Sequence, residues 1–223
     1  LYSCLNTSCN VVYKVTGYQN ETTMTVQPIS YSSDSYADAV TNTTNSSIKT
    51  TLDTWYKNNM TAYTSYLADT TFCNDRSIAS GTGYKLDSYT FYGAYNRNVD
   101  RRTPSLKCAQ DNDKFKVSNA SAKLDYPISL ITADEAAMAG GVLSIPNSNY
   151  YLYNGQYTWT LSPFSFYSNF SVADVWIIQP SGSLDANDVT NSFGARPVIN
   201  LKADTLITKG DGTALNPYVV SVS

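Results

Sequence analysis

No histidine occurs anywhere in the 223 residues, and that absence closes most familiar routes to catalysis. A Ser-His-Asp triad, a Cys-His dyad and a His-based metal site all need an imidazole. The chemistry left open is that of a carboxylate pair, one group donating a proton while the other attacks or activates water. Asp174 and Asp188 are carboxylates of this kind. Sheet-and-loop domains carry many such groups in their loops, so the chain is read as a non-enzyme with no catalytic residue.

The four cysteines, Cys4, Cys9, Cys73 and Cys108, could hold a metal or pair with one another. Zinc is disfavoured, because Cys4 and Cys9 have neither a histidine nor a CxxC partner. An even count in an exported chain suggests two disulfides, and four cysteines admit three pairings. Cys4–Cys9, closing a tight local loop, and Cys73–Cys108, closing a long one, are preferred. Oxygen-rich runs at Asp111–Asn112–Asp113, Asp185–Ala186–Asn187–Asp188 and Gly210–Asp211–Gly212 admit a structural calcium ion. None has the regular ligand spacing and distal Glu of an EF-hand. No other cofactor is expected, and no metal ligand set is assigned.

Charge is sparse, with 15 Lys+Arg against 18 Asp+Glu. Nucleic acid would need a dense basic face, and the one local cluster, Arg97, Arg101 and Arg102, reads as a solvated turn. No run of 18 or more apolar residues occurs, so no membrane span is expected. No signal peptide is read, and Leu1 is not a start residue, so an export signal or anchor is expected outside these residues. Tyr, Ser, Thr and Asn stand where charge is usually found, with 19 Tyr against 7 Phe. A tyrosyl ring buries area at low entropic cost, so Tyr-rich loops make good contact surfaces.

The elements that must position these groups are mixed. Residues 1–45 are polar and weakly patterned, with short strands expected near Val12–Tyr13 and over residues 22–29, and read as an N-terminal extension. Residues 46–223 form the main domain. Ile48, Leu52, Trp55, Tyr56, Tyr63 and Leu67 recur at helical spacing behind a cap at Ser46 or Ser47. Thr132 and Glu135 make a capping box ahead of a short helix that Gly140–Gly141 stops. Tyr150–Tyr151–Leu152–Tyr153 before Asn154–Gly155 signals a hairpin. Asp174–Val175–Trp176–Ile177–Ile178 reads as a buried strand, as do residues 194–201 and 218–220. Trp55, Trp159 and Trp176 are assigned to the core, and Arg196, beside Pro197, to a buried ion pair or carbonyl clamp.

Three motifs recur in a known order: Leu130–Ile131–Thr132–Ala133–Asp134–Glu135–Ala136 with Gly140–Gly141, Tyr157–Thr158–Trp159–Thr160–Leu161–Ser162–Pro163, and Gly194–Ala195–Arg196–Pro197–Val198–Ile199–Asn200–Leu201. This order resembles an uncharacterised domain of exported proteins from low-GC Gram-positive bacteria. Members commonly end chains that begin with a prepilin-like or other export segment. The helix with its double glycine also resembles the corresponding helix of formylglycine-generating enzymes, whose fold is a variant of the C-type-lectin fold. Covering residues 46–223, the resemblance implies an α+β, C-type-lectin-like fold: two helices, small twisted antiparallel sheets and long ordered loops. The enzyme's copper chemistry does not carry over, because it needs a late cysteine pair and no cysteine follows Cys108. The sugar loop of calcium-dependent lectins is incomplete too, since Gln179–Pro180 is followed by Ser181.

Together these features point to a non-catalytic recognition or adhesion module at a bacterial surface or secreted from the cell. Its ligand, protein or glycan, is expected on loops 96–113, 147–156 and 163–170. Tyr150, Tyr151, Tyr153, Tyr157, Phe164, Phe166 and Tyr167 are the expected contact rings. The alternative is a structural subunit of a pilus-like filament, its partners being copies of itself engaged through residues 1–45.

Overall fold

Two strands organise the chain: β8 (Thr158–Tyr167) and β9 (Val172–Ile178), paired antiparallel. Successive side chains of a strand point to opposite faces. Here both faces are buried: Trp159, Val175 and Ile177 enter one core, while Trp176 and Ile178 enter another. That is why this strand reads as an unbroken apolar run rather than an alternating one. The structure, a computed structural model, describes residues 2–4, 12–14, 21, 22, 24, 35, 37, 40–84, 89–167, 172–212 and 215–222.

Around this pair a mixed sheet is assembled in the order β10 (Leu184–Asp188), β9, β8, β11 (Phe193–Gly194) and β3 (Glu21–Thr22). The far end of β8 also carries β6 (Tyr89–Tyr92), which pairs with β5 (Ile78–Ser80). A second sheet runs β12 (Thr205–Lys209), β13 (Tyr218–Val222), β1 (Tyr2–Cys4) and β2 (Val12–Lys14). A small third sheet joins β4 (Phe72–Cys73) to β7 (Lys114–Phe115). The fold is therefore α+β. The sheets are not purely antiparallel, since β11 pairs parallel with β8 and β1 pairs parallel with β13.

Helix α1 (Ser47–Asn59) starts where Ser46 accepts a hydrogen bond from the Lys49 N–H. It buries Ile48, Leu52 and Tyr56 in the Trp159 core. It stops before Tyr63 and Leu67, which the sequence spacing assigns to the same helix. Asn59 donates to the Trp55 carbonyl and Thr61 to the Lys57 carbonyl, so side chains take over the last-turn acceptors. The chain tightens into a 3-10 turn over Thr61–Tyr66, and Leu67 then bridges to Leu201.

The other core is closed by α2 (Gly93–Tyr95), which runs into a π-helical turn at Asn96–Asp100, and by α3 (Ala133–Met138). At the start of α3 the Thr132 N–H donates to Glu135 at 2.8 Å, and the Glu135 N–H donates back to Thr132 Oγ1 at 3.1 Å. Six residues cannot hold a helix by propensity alone, so packing holds this one: Ala133 and Ala136 are fully buried beside Leu184 and Ile178. Gly140, at φ +124°, carries the chain out of it. No helix among the described residues is long and apolar enough to cross a membrane.

Residues 194–201 do not form one strand. Pro197 lacks an N–H and has a fixed φ, so the ladder ends at Gly194 and only isolated bridges follow, at Val198 and Leu201.

The segment 72–113 is fastened by a disulfide between Cys73 and Cys108 and by two buried ion pairs. The pairing of Cys4 with Cys9 lies outside the described residues. Arg97 corrects the expectation of a solvated turn. Its guanidinium forks onto both oxygens of Asp134 at 2.8 Å and reaches Asp75 at 2.6 Å, while Arg101 and Arg102 stay exposed. Hydrogen bonding to Asp134 is the main cause that holds Arg97 well above its ordinary pKa. Asp134 also accepts from the Ser105 N–H, so one carboxylate at the start of α3 fixes the 96–105 segment.

The oxygen-rich run at 111–113 is likewise taken up by cations: Asp113 accepts from the backbone N–H and Nε of Arg76, and Asp111 pairs with Lys114. Among the described residues no group of three His, Cys, Asp or Glu could hold a metal ion. Arg97→Met would leave Asp75 and Asp134 buried without a cation, a loss of about 3–5 kcal/mol. Urea unfolding of the two proteins measures it.

Candidate functional site

Three exposed tyrosines, Tyr151, Tyr153 and Tyr157, gather on the loop of residues 146–157. Several hydrogen bonds order this loop. Asn147 donates from its side chain to the Gly140 carbonyl at 2.9 Å and from its backbone to Ser181 at 3.1 Å. Gly182 comes so close that a Cβ there would sit 1.8 Å from the Asn147 carbonyl oxygen, so only glycine fits. The Tyr153 N–H donates to the Tyr150 carbonyl at 3.0 Å, and the Gly194 N–H to the Tyr157 carbonyl at 3.0 Å.

Asn154–Gly155 makes a turn, as its residues suggest, with Gly155 at φ +71°. The hairpin expected around it does not form, because the Tyr150–Tyr153 stretch closes on itself and the Leu152 carbonyl goes to Arg196. Arg196 is thus a carbonyl clamp.

The seven expected contact rings divide sharply. Tyr151 is 59% exposed, Tyr157 41% and Tyr153 39%. Tyr157 also stacks on Phe193 with ring centroids 4.7 Å apart. Tyr150 is half-buried against the Trp176 core, its hydroxyl sealed and without a partner. The other three rings are not in a loop. Pro163 sits at an irregularity of β8, where its missing N–H is tolerated, and the strand continues through Tyr167. Phe164 consequently packs edge-on to Trp176 at 4.8 Å and to Tyr95 at 5.2 Å. Phe166, 1% exposed, lies in the interior, and Tyr167 lies against Tyr89 at 4.7 Å. Residues 168–170 of the expected loop lie outside the described residues.

Beneath this face is Arg196, 5% exposed, one guanidinium nitrogen donating to Leu152. No carboxylate pairs with it among the described residues. Burial pushes its pKa down, and the nearby phenols of Tyr150 and Tyr151 oppose that shift. Burial also pushes the Tyr150 phenol up, to about 12, so it stays a neutral O–H donor at physiological pH. The sequence names the tyrosines but not Asn147 or Gly182, which hold their loop. Only the strict need for glycine at 182 could have pointed there.

A concavity of about 290 Å³ lies between α1 and the sheet. Ile48, Leu52, Leu130, Leu161 and Val175 form much of its wall, and Asp174 is the one carboxylate on it among the described residues. Asp188 stands directly opposite Asp174 in the β9–β10 register, so the two acids singled out by type are brought together. Asp188 is not on the cavity wall and is engaged by Thr190. The wall is not wholly apolar, since Lys49, Arg76 and Lys123 also line it.

Compared with family models, curated proteins and solved structures, the chain matches none.

Asp174 makes a pH-dependent prediction. Burial, and to a lesser degree the charge of Asp188, raise its carboxyl above the ordinary 3.8, against a hydrogen bond from Ser165. A carboxyl raised in the folded state favours folding below its unfolded pKa, and that advantage is lost as pH rises through the folded value. Asp174→Asn keeps an acceptor for Ser165 and removes the charge. It is expected to raise the urea midpoint at pH 7 and to leave it unchanged near pH 3.

Proposed function

We propose that this chain is a non-catalytic recognition module working outside a bacterial cell, taking protein or glycan ligands on the 146–157 face. The observation that carries the reading is the exposure of Tyr151, Tyr153 and Tyr157 on a loop whose backbone is already hydrogen-bonded. A ligand meeting this surface has little loop ordering left to drive, and pre-ordered aromatic contacts give affinity at low entropic cost. An extracellular setting is supported by the Cys73–Cys108 bond, since disulfides persist in oxidising compartments. A C-type-lectin-like arrangement is supported by the order of the motifs and by the capped helix α3 packed beside β8, β9 and β10. In such an arrangement the scaffold stays and the long loops carry specificity.

One observation favours a second reading, a subunit that joins copies of itself. β12 is an edge strand whose Leu206 and Ile207 are both exposed, and an unpaired apolar edge is a template for strand addition. Light scattering separates the two: recognition by the tyrosine face needs no assembly, whereas edge pairing gives multimers that Ile207→Lys disperses.

The recognition reading is tested with the double variant Tyr151→Ala/Tyr153→Ala. Both rings are exposed, so stability is expected to stay within about 1 kcal/mol of the parent. Binding on glycan and host-protein arrays is expected to fall at least about tenfold. Unchanged binding by a well-folded variant would remove this face from consideration.

A further inference from the structure

Three buried or half-buried guanidinium groups occur among the described residues, and they are treated differently. Arg97 has two carboxylates and Arg76 has Asp113. Arg196 is the most buried of the three, yet among the described residues its one hydrogen-bond partner is the Leu152 carbonyl. A buried cation without a counter-charge is costly, and buried charges are ordinarily paired. The remaining donors of the guanidinium fork have no partner among the described residues. Beside them the Tyr150 hydroxyl is sealed from water and bonded to nothing. The two groups meet at one loop: Arg196 donates to the carbonyl of Leu152, two residues on from Tyr150, and each influences the other's ionisation.

We propose that Arg196 and Tyr150 form the carboxylate-binding end of this face, and that the ligand is an acidic saccharide of the uronate type. The inference rests on the recognition reading and names the chemistry of its ligand. A planar guanidinium matches a carboxylate through two parallel N–H···O bonds. Tyr150 joins when its ring turns outward, exchanging a sealed hydroxyl for a charged acceptor. Its neighbour Tyr151 feels both Arg196 and Glu135. Glu135 is held at the start of α3, where one carboxylate oxygen accepts from the backbone and hydroxyl of Thr132.

A saccharide rather than a peptide fits the rest of the surface. Tyr151, Tyr153 and Tyr157 present ring area against which the C–H face of a pyranose can lie. A peptide main chain would want backbone donors and acceptors, and the loop uses several of its own: the N–H groups of Asn147, Asn149, Tyr153 and Gln156 are all bonded within the chain.

The test is a calorimetric titration of the full chain with sodium glucuronate, with glucose, and with a short neutral peptide carrying a free carboxyl terminus. Glucuronate is expected to bind at least about tenfold tighter than glucose or the peptide, the discrimination a charge-assisted hydrogen-bonded pair provides. Tyr150→Phe removes a hydroxyl that bonds nothing in the free protein. It is expected to keep or raise the melting temperature while weakening glucuronate at least about fivefold. Arg196→Gln, if it folds, should abolish the preference for glucuronate over glucose.

Glucuronate binding no tighter than glucose, or insensitive to Tyr150→Phe, overturns the carboxylate site. Peptide binding equal to that of glucuronate overturns the saccharide assignment. Failure here with array binding still lost in Tyr151→Ala/Tyr153→Ala leaves the recognition face standing and the carboxylate site refuted. Failure of both refutes the face itself.

Discussion

A strand pair buried on both faces constrains everything else in this protein. β8 and β9 send Trp159 to one side and Trp176 to the other, each fully buried. Burying one such side chain contributes several kcal/mol, so two opposed indoles fix the register of the central sheet. Each face must then be covered, α1 and the Leu130 strip on one side, α3 and the 93–100 turns on the other. Trp159 finds the Thr22 carbonyl at 2.8 Å, which draws β3 onto the sheet. Trp176 leaves its N–H unpartnered, a cost that this packing outweighs. With the helices occupying both faces, the 146–157 loop displays Tyr151, Tyr153 and Tyr157 at the surface.

Charge is distributed to the same end. In a chain with so few ionisable groups, Asp134 and Asp113 are buried where they organise loops. Asp134 gathers Arg97 and the Ser105 N–H at the start of α3, and Asp113 gathers Arg76 beside the disulfide. These pairs hold the 72–113 segment more than they add net stability, since desolvation offsets much of the attraction. Arg196 departs from that pattern. It donates to the Leu152 carbonyl of the tyrosine loop with one nitrogen, and no carboxylate pairs with it among the described residues.

Local signals were legible in the sequence and long-range ones were not. The Ser46 cap, the Ile48–Leu52–Tyr56 stripe, the Thr132–Glu135 box and the Asp174–Ile178 strand all depend on neighbours within a few residues, and they appear as expected. The Cys73–Cys108 bond was also favoured among three pairings. What spacing could not show was decided by distant partners. Asn59 and Thr61 end α1 early, Arg196 diverts the carbonyl that a hairpin would use, and Pro163 is absorbed at a strand irregularity. That last event moved Phe164, Phe166 and Tyr167 from the expected loop onto β8, and Phe166 into the interior. Arg97 was misread for the same reason, because Asp75 and Asp134 lie 22 and 37 residues away along the chain.

The tyrosine face and the cavity under α1 are separate surfaces, and side-chain NMR distinguishes binding at one from binding at the other in one experiment. The full chain, isotopically labelled at arginine and tyrosine, is titrated with glucuronate while guanidinium and ring signals are followed. Recognition at the Arg196 face predicts that the Arg196 Nε–H and the rings of Tyr150, Tyr151 and Tyr153 shift together along a single saturable curve. Shifts confined to Arg76 and Tyr92, which line the cavity, with Arg196 unmoved, would contradict it.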